Sequence, residues 1–270
     1  MTVTVVDAFA ERPFEGNPAA VCVLDAPAPE AWTRALAAEM NLSETAFVTP
    51  GADGAHNLRW LTPETEVDLC GHATLASAHV LFETGRAEDE VRFDTRSGRL
   101  TVRRDGDRYA MDFPATRPEA AGADGLADAL GAELVWTGRT RFDHFAVLAS
   151  EAAVRALDPS LDAVRRLGGR GVIATARAEQ GSPYRVVSRF FAPEAGVPED
   201  PVTGSAHCAI GPYWADQLGT DSVRCYQASR RGGRVDVRVA GERVELTGSA
   251  VTVYRATLTE AALPAEVPHG

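Results

Sequence analysis

The feature that most constrains this chain is a stretch that occurs twice. Residues 58–85 contain Arg-Trp-Leu-Thr-Pro-Glu, a polar turn, and a Gly-His-Ala step that opens a long apolar run. Residues 188–219 follow the same plan with Arg-Phe-Phe-Ala-Pro-Glu, a second polar turn and a Gly-Ser-Ala step. The copies lie about 130 positions apart, close to half of the chain, and a repeat at that spacing predicts an internal duplication.

Each copy predicts a strand, a turn and a helix. Aromatic and β-branched residues favour a strand before each Pro-Glu pair, and Gly71 or Gly204 permits a tight turn before the helix. The first apolar run has almost no polar face, so its helix is predicted to be buried and to be capped by Gly85. Free N–H groups in the first turn of a buried helix suit a carboxylate or phosphate. Two such helix starts predict one cleft for an acidic small molecule, unless both glycines serve only their local turns.

Five motifs carry a further signal, in a fixed order along almost the whole chain. They are Asp7-Ala8-Phe9, Phe14-x-Gly16-Asn17-Pro18, Asn41-Leu42-Ser43-Glu44-Thr45, Cys70-Gly71-His72-Ala73-Thr74 and Asp200-Pro201-Val202-Thr203-Gly204-Ser205-Ala206. Together they resemble the PhzF family of phenazine-biosynthesis isomerases. The resemblance implies the α+β fold of diaminopimelate epimerase and proline racemase, with two pseudo-symmetric halves, each a β-barrel-like sheet wrapped around a central helix.

Composition excludes several classes of function. The chain contains no lysine, which removes Schiff-base chemistry and the phosphate-binding loop of the Walker type. A formal net charge of −11 without clustered cations argues against a nucleic-acid surface. An acidic protein that takes an anionic substrate must therefore concentrate positive potential locally, as a helix N-terminus does.

The sequence also indicates the compartment. The first residues lack the pattern of a signal peptide, and no apolar run approaches the length of a membrane span, so we expect a cytoplasmic protein without membrane contact. The four cysteines have no Cys-x-x-Cys spacing and are expected to be free thiols. The family resemblance implies a homodimer that uses no cofactor.

Patterning along the chain places the elements and the domains. We predict an initial strand pair, a helix over Pro29–Met40, a strand meander after the first buried helix, a mostly helical stretch over Ala153–Leu167 and a meander at the tail. Pro114–Gly125, rich in proline, alanine and glycine, is the predicted linker. The expected halves are residues 1–115 and 125–270, with the last strand able to return to the first half.

Two local patterns need a separate interpretation. Gly169-x-Gly171-x-x-Ala174 mimics a dinucleotide-binding fingerprint, but it follows a helix and precedes a strand, the reverse of the required order. Pro212 lies inside the second apolar run and is expected to kink that helix or to start a new turn.

Glu44 is the candidate catalytic residue. Strand alternation puts it on the side of Leu42 and Ala46, so its carboxylate lies either at the edge of a cleft or in a buried position, unless the strand is an exposed edge. The family resemblance implies that Glu44 is the general acid/base.

His72, Asp200 and Ser205 flank the two predicted helix starts. The resemblance implies that His72 and Asp200 act with Glu44 in catalysis, and that Gly71, Gly204 and Ser205 also bind the substrate. The structural alternative is capping, since Ser205 suits a helix N-cap and Asp200 suits a proline-rich turn. Asn17 is interpreted mainly as a residue of the Gly-Asn-Pro turn.

Cys70 supports a competing enzyme class. Epimerases and racemases of the implied fold use two thiols on opposite faces of a carbon, but the second turn offers Asp200-Pro201-Val202, and Cys208 lies a helical turn later. The six histidines form no metal-binding pattern, so no metal is expected.

The leading prediction is a cofactor-independent isomerase of a small anionic, amino-acid-like substrate, of the dihydro-hydroxyanthranilate isomerase type. The alternatives are a Cys70-dependent epimerase or racemase and a non-catalytic binding protein.

Overall fold

The computed structural model describes residues 1–122 and 124–264. The first elements are β1 (Thr2–Ala8), β2 (Asn17–Val23), α1 (Glu30–Met40), β3 (Glu44–Pro50), β4 (His56–Leu61), β5 (Glu66–Val67), α2 (Gly71–Glu83), β6 (Glu90–Thr95), β7 (Gly98–Asp105) and β8 (Arg108–Pro114). The later elements are β9 (Glu119–Ala120), α3 (Leu126–Leu130), β10 (Trp136–Arg139), β11 (Asp143–Val147), α4 (Glu151–Arg155), α5 (Leu161–Arg166), β12 (Gly171–Arg177), β13 (Val186–Phe191), α6 (Gly204–Leu218), β14 (Ser222–Gln227), β15 (Gly233–Ala240), β16 (Arg243–Gly248) and β17 (Ala250–Thr257).

The chain divides into two compact units. One comprises Met1–Met111 together with the segment that begins at Gly248, and the other comprises Asp112–Thr247. The predicted linker contains β9, which pairs antiparallel with β10, and its residue 123 lies outside the described residues. The chain therefore passes from the first unit to the second within β8 rather than through the proline-rich stretch.

Both units show the same order of strand pairing. In the first unit, the pairs β1–β2, β2–β3, β3–β4, β4–β6, β6–β7 and β7–β8 are antiparallel, parallel, antiparallel, parallel, antiparallel and antiparallel. In the second unit, the pairs β10–β11, β11–β12, β12–β13, β13–β14, β14–β15 and β15–β16 repeat that order. A match at every step supports the internal duplication that the sequence predicts.

The helix α2 is the core of the first unit. Ten of its 13 residues are buried, and it packs against β1, β2 and β3. It ends in a left-handed turn at Gly85, whose φ is +69°. The N–H groups of Gly85 and Arg86 donate to the carbonyls of Phe82 and Leu81 at 3.2 and 2.9 Å. This pair of bonds satisfies the last carbonyls of the helix, so Gly85 ends it as predicted.

The helix α6 has the same place in the second unit, with ten of its 15 residues buried. Pro212 lies within it, and the helix continues through that position without a break. Because proline has no N–H group, the carbonyl of Cys208, four residues earlier, loses its usual donor. The backbone N–H of Thr116 donates to that carbonyl at 2.9 Å. A neighbouring segment thus replaces the missing bond, which explains why no new turn begins at Pro212.

Most of the predicted elements are present, and two of them differ in detail from the prediction. The stretch predicted as mostly helical is two short helices, because the side chain of Ser160 accepts the N–H of Ala163 and starts α5 as a separate helix. The predicted tail meander stops after β16, and β17 pairs antiparallel with β1 instead. At Gly248 an added Cβ would lie 2.3 Å from the Phe9 ring, so only glycine allows the chain to pass there.

A chain of hydrogen bonds fastens β17 to α2. The Thr252 hydroxyl donates to Glu83 at 2.7 Å, so it can only accept from Nε2 of His79, which lies 3.0 Å away. The His79 ring therefore carries its proton on Nε2, and Nδ1 accepts from the Tyr109 hydroxyl at 2.8 Å. Burial lowers the pKa of His79, in agreement with this neutral tautomer.

Within the described residues, no helix combines the length and the apolar composition that crossing a membrane requires.

Gly211 provides a test of the packing of α6. An added Cβ would lie 2.3 Å from Cγ1 of Val237 on β15, so we expect Gly211→Ala to lower the free energy of unfolding by about 1–3 kcal/mol. Helix propensity alone predicts the opposite, a gain of up to ~1 kcal/mol. Urea unfolding measures the sign, and Val237→Ala in the same chain should recover part of the loss. A stabilised Gly211→Ala variant would contradict this packing.

Candidate active site

Glu44 and His72 meet in the first unit. Glu44 is the first residue of β3, and His72 is the second residue of α2. Oε2 of Glu44 lies 3.0 Å from Nε2 of His72, and the two side chains are 17% and 7% exposed. The predicted acid/base residue thus lies in a largely buried position against the start of the central helix. Oε1 of Glu44 contacts no other polar side chain among the described residues.

The other nitrogen of the His72 ring faces Asn17 and Cys70. Nδ1 lies 3.2 Å from Nδ2 of Asn17 and 3.5 Å from Sγ of Cys70. Asn17 is fully buried, so it contacts a candidate site residue rather than serving the turn alone. The turn depends on Gly16, where an added Cβ would lie 2.1 Å from the Ala8 carbonyl oxygen. The sequence offered one signal for Asn17, its place within a family motif.

Charge around His72 determines its protonation. Burial lowers the pKa of this imidazole, but its contacts with Cys70 and with the Glu44 carboxylate more than offset that effect and hold the pKa well above its ordinary range. In the imidazolium form Nδ1 carries a proton and requires an acceptor, which the Asn17 amide supplies when its oxygen faces the ring. In the neutral form Nδ1 can accept, and the Asn17 amide then presents its nitrogen.

Cys70 is a poor candidate for a ready thiolate. Burial raises the pKa of its thiol, and the negative charge of Glu44 raises it further. A thiol base must lose its proton before it can act, so this environment disfavours that role at neutral pH. Cys208 is equally constrained, since its Sγ donates to the Gly204 carbonyl at 3.7 Å and burial raises its pKa to about 12.

Glu44, Cys70 and His72 also form the one cluster with metal-ligand chemistry among the described residues, with donor atoms within 4.8 Å of one another. The sulfur approaches Nδ1 of the ring, whereas the carboxylate approaches Nε2. A metal ion bonds to only one of the two ring nitrogens. The observed arrangement therefore suits proton-sharing contacts and not a three-ligand metal site.

Asp200 belongs to a hydrogen-bonded turn in the second unit. Its carboxylate accepts from the hydroxyl of Thr203, and its carbonyl accepts from Nε2 of Gln227 at 2.7 Å. Oε1 of Gln227 accepts the N–H of Thr203 at 2.9 Å. The fully buried Gln227 therefore fixes the turn that leads into α6. Sequence reasoning missed this residue because it lies on β14, distant in sequence from the turn.

Ser205 is not the N-cap of α6. Thr203 occupies that position and makes no side-chain capping bond, while Ser205 is the second helical residue. Its hydroxyl accepts from Nη1 of Arg170 at 2.9 Å. The capping interpretation of Ser205 was therefore wrong. No side chain caps the first turn of α2 either, so the N–H groups near Gly71 and Gly204 have no capping side chain.

The fold and the site together define an α+β protein with a carboxylate–imidazole pair at a buried helix start. The family model described as phenazine biosynthesis-like protein matches residues 6–256. An uncharacterized isomerase of Pseudomonas aeruginosa is 50% identical over 263 residues, which cover 96% of this chain and 98% of the relative. The chain belongs to the PhzF, or phenazine biosynthesis-like, family, as its five motifs predict.

Solved structures agree with this assignment. A PhzF-family protein from Enterococcus faecalis has a TM-score of 0.91 and 42% identity, covering 95% of this chain and 99% of that chain. A probable proline racemase from Agrobacterium radiobacter has a TM-score of 0.62 at 12% identity, covering 96% and 93%. That likeness concerns the fold alone, and it confirms the predicted α+β fold of the epimerase and racemase type.

The buried His207 in α6 leads us to expect a loss of stability in acid. Its Nδ1–H donates to the Thr203 carbonyl at 2.8 Å, and burial lowers its pKa to about 4. Because the unfolded ring binds a proton near pH 6.5, the stabilisation is complete above that pH and is lost as the pH falls towards about 4, by about 3 kcal/mol. Thermal unfolding of the wild type and of His207→Asn across this range measures the difference. Parallel pH profiles of the two proteins would contradict a neutral buried imidazole.

Proposed function

We propose that this protein is an isomerase of the PhzF type that requires no cofactor. It would move a proton and a double bond within a small unsaturated or cyclic amino acid, of the dihydro-hydroxyanthranilate type. The observation that carries this proposal is the 3.0 Å contact between Glu44 and His72 at the start of α2. The names of its relatives support the broader class, since the 50% identical protein is called an isomerase.

In this mechanism Glu44 acts as the single acid/base. Its carboxylate takes a proton from a carbon next to a double bond, and the electron pair left behind forms a new double bond one position along. Glu44 exchanges the abstracted proton with solvent and then protonates the far end of the original double bond, whose electron pair forms the new C–H bond. Substrate and product therefore have the same atoms and electrons, and no oxidant or reductant is needed. Glu44 is suited to this step because its Oε2 lies 3.0 Å from Nε2 of His72, which leaves Oε1 to face the substrate.

The other site residues would bind the polar groups of the substrate. A carboxylate suits the first-turn N–H groups of a helix, where Gly71 and Gly204 allow the backbone to approach closely. Asp200 would accept from the substrate amino group, and Ser205 would donate to an oxygen. His72, as an imidazolium, would add the positive charge that a protein with a net charge of −11 otherwise lacks at an anion site.

The role of Glu44 is tested by Glu44→Gln. The amide keeps the shape of the side chain but cannot take up a proton, so we expect turnover to fall by a factor on the order of 10² to 10⁴. Mass spectrometry of deuterium incorporation from D₂O into dihydro-hydroxyanthranilate-type substrates gives the rate. Glu64→Gln, an exposed change in the same unit, is the matched control. Near-wild-type exchange in Glu44→Gln would remove Glu44 from the mechanism. If the wild-type protein binds the substrate but shows no exchange, the result would favour a non-catalytic binding protein.

A Cys70-dependent epimerase is the second candidate, and the 3.5 Å contact between Cys70 and His72 is the observation that favours it. For the proposed isomerase we expect Cys70→Ala to retain most of its activity, with a modest loss from the smaller buried side chain. Cys208→Ala, another buried thiol, is the control for that packing effect. Complete loss of exchange in Cys70→Ala alone, together with inversion of a stereocentre detected by chiral chromatography, would establish the epimerase instead.

A further inference from the structure

A glycine-rich loop brings an arginine to the start of α6. Gly168 and Gly169 have φ values of +69° and +80°, a region that side chains other than glycine rarely adopt. At Gly171 an added Cβ would lie 2.5 Å from the carbonyl oxygen of Phe191. The residues on both sides of Arg170 are therefore restricted to glycine by the backbone. The sequence pattern that mimics a nucleotide-binding loop has this structural use instead.

Three hydrogen bonds fix the Arg170 side chain. Nε and Nη2 donate to the two carboxylate oxygens of Asp143 at 2.9 and 2.5 Å, and Nη1 donates to Oγ of Ser205 at 2.9 Å. The Asp143 side chain is only 3% exposed, and Arg170 is its ion-pair partner. The guanidinium also lies 5.6 and 5.4 Å from the ring centres of Phe142 and Phe190. Arg170 is thus held in one orientation.

The chemistry of these groups decides the direction of the Ser205 hydroxyl. A guanidinium can only donate hydrogen bonds, so Oγ of Ser205 must accept from it. Among residues 1–122 and 124–264 the hydroxyl makes no hydrogen bond as a donor, and Ser205 is partly exposed, so its hydrogen is available to water or to a bound molecule. Without Arg170, a serine hydroxyl could either donate or accept. Because Asp143 balances the charge of Arg170, the arginine acts on the hydroxyl by orientation and adds little net charge.

We propose that Arg170 is a positioning residue that sets the Ser205 hydroxyl as a donor to the carboxylate of the substrate. This inference rests on the proposed function, which places an anionic amino acid at the start of α6. It adds a residue outside the five family motifs, on a loop more than thirty positions before the helix that it serves.

A double-mutant comparison tests the inference, with 2-aminobenzoate as the probe and calorimetric titration as the measurement. Arg170→Lys keeps a cation beside Asp143 but cannot reach both partners with a planar fork. We expect this change and Ser205→Ala each to weaken binding about tenfold to a hundredfold, as for a lost hydrogen bond to a charged group. The double variant should be no weaker than the weaker single variant, since both changes remove one interaction.

The matched control is Arg189→Lys. Arg189 also makes a two-pronged contact with a carboxylate, that of Glu199, at 2.7 and 2.9 Å, and its substitution should leave probe binding unchanged. If Arg170→Lys disturbs the buried Asp143, it lowers the melting temperature by more than Arg189→Lys does. In that case the combined variant Arg170→Gln with Asp143→Asn removes both charges together, and its binding of the probe is compared with that of Ser205→Ala.

Each outcome has a distinct meaning. Wild-type affinity in Arg170→Lys, or losses that add in the double variant, would overturn the positioning role and leave the proposed function standing. A wild-type protein that does not bind 2-aminobenzoate would overturn the proposed substrate class, and this inference with it. Equal, non-additive losses in the two single variants would support both.

Discussion

The structure depends on one constraint, the burial of a nearly apolar helix in each unit. Surrounding strands cover α2 and α6 on most sides, so their backbone groups cannot rely on water. The C-terminal carbonyls of α2 are satisfied locally at Gly85, and the carbonyl freed by Pro212 in α6 is satisfied by Thr116. The first turns are treated differently, because no side chain caps them. Uncapped donors at a buried helix start are costly without a ligand, and polar side chains lie beside both starts, His72 in α2 and Ser205 in α6.

The duplication shows which features of a unit are essential and which can diverge. All six strand pairings keep their direction in both units, although the sequences of the units have diverged. Both helices begin with a Gly-x-Ala step, but the polar residues around the helix starts differ. The first unit has a carboxylate–imidazole pair, Glu44 and His72, whereas the second has the Asp200 turn and the Arg170–Ser205 contact. The sheet pattern is therefore a constraint of the fold, while the helix start is the position at which the two copies acquired different chemistry.

The sequence predicted what depends on local patterning. Periodicity and turn residues sufficed for the strand pair β1–β2, the helix α1, the burial of α2 and its end at Gly85. Two features that local patterning did not predict depend on residues distant in the chain. β17 pairs with β1 across almost the full sequence, and Pro212 is accommodated by Thr116, nearly a hundred positions before it. Gln227 and Arg170 are likewise brought to the helix start by strands and loops that no local pattern connects to Asp200 or Ser205.

The same reasoning separates the two enzyme classes that share this fold. An epimerase of two thiols needs sulfur atoms that ionise readily, but burial raises the pKa of both Cys70 and Cys208. Glu44 adds to this effect at Cys70, because a thiolate beside a carboxylate would place two negative charges in one buried place. The positive charge of His72 stabilises the Glu44 carboxylate more than a Cys70 thiolate, since Glu44 lies 3.0 Å from the ring and Cys70 lies 3.5 Å from it. A carboxylate at the position of Glu44 thus disfavours thiol chemistry at Cys70, and one-carboxylate proton transfer is the mechanism that this environment favours.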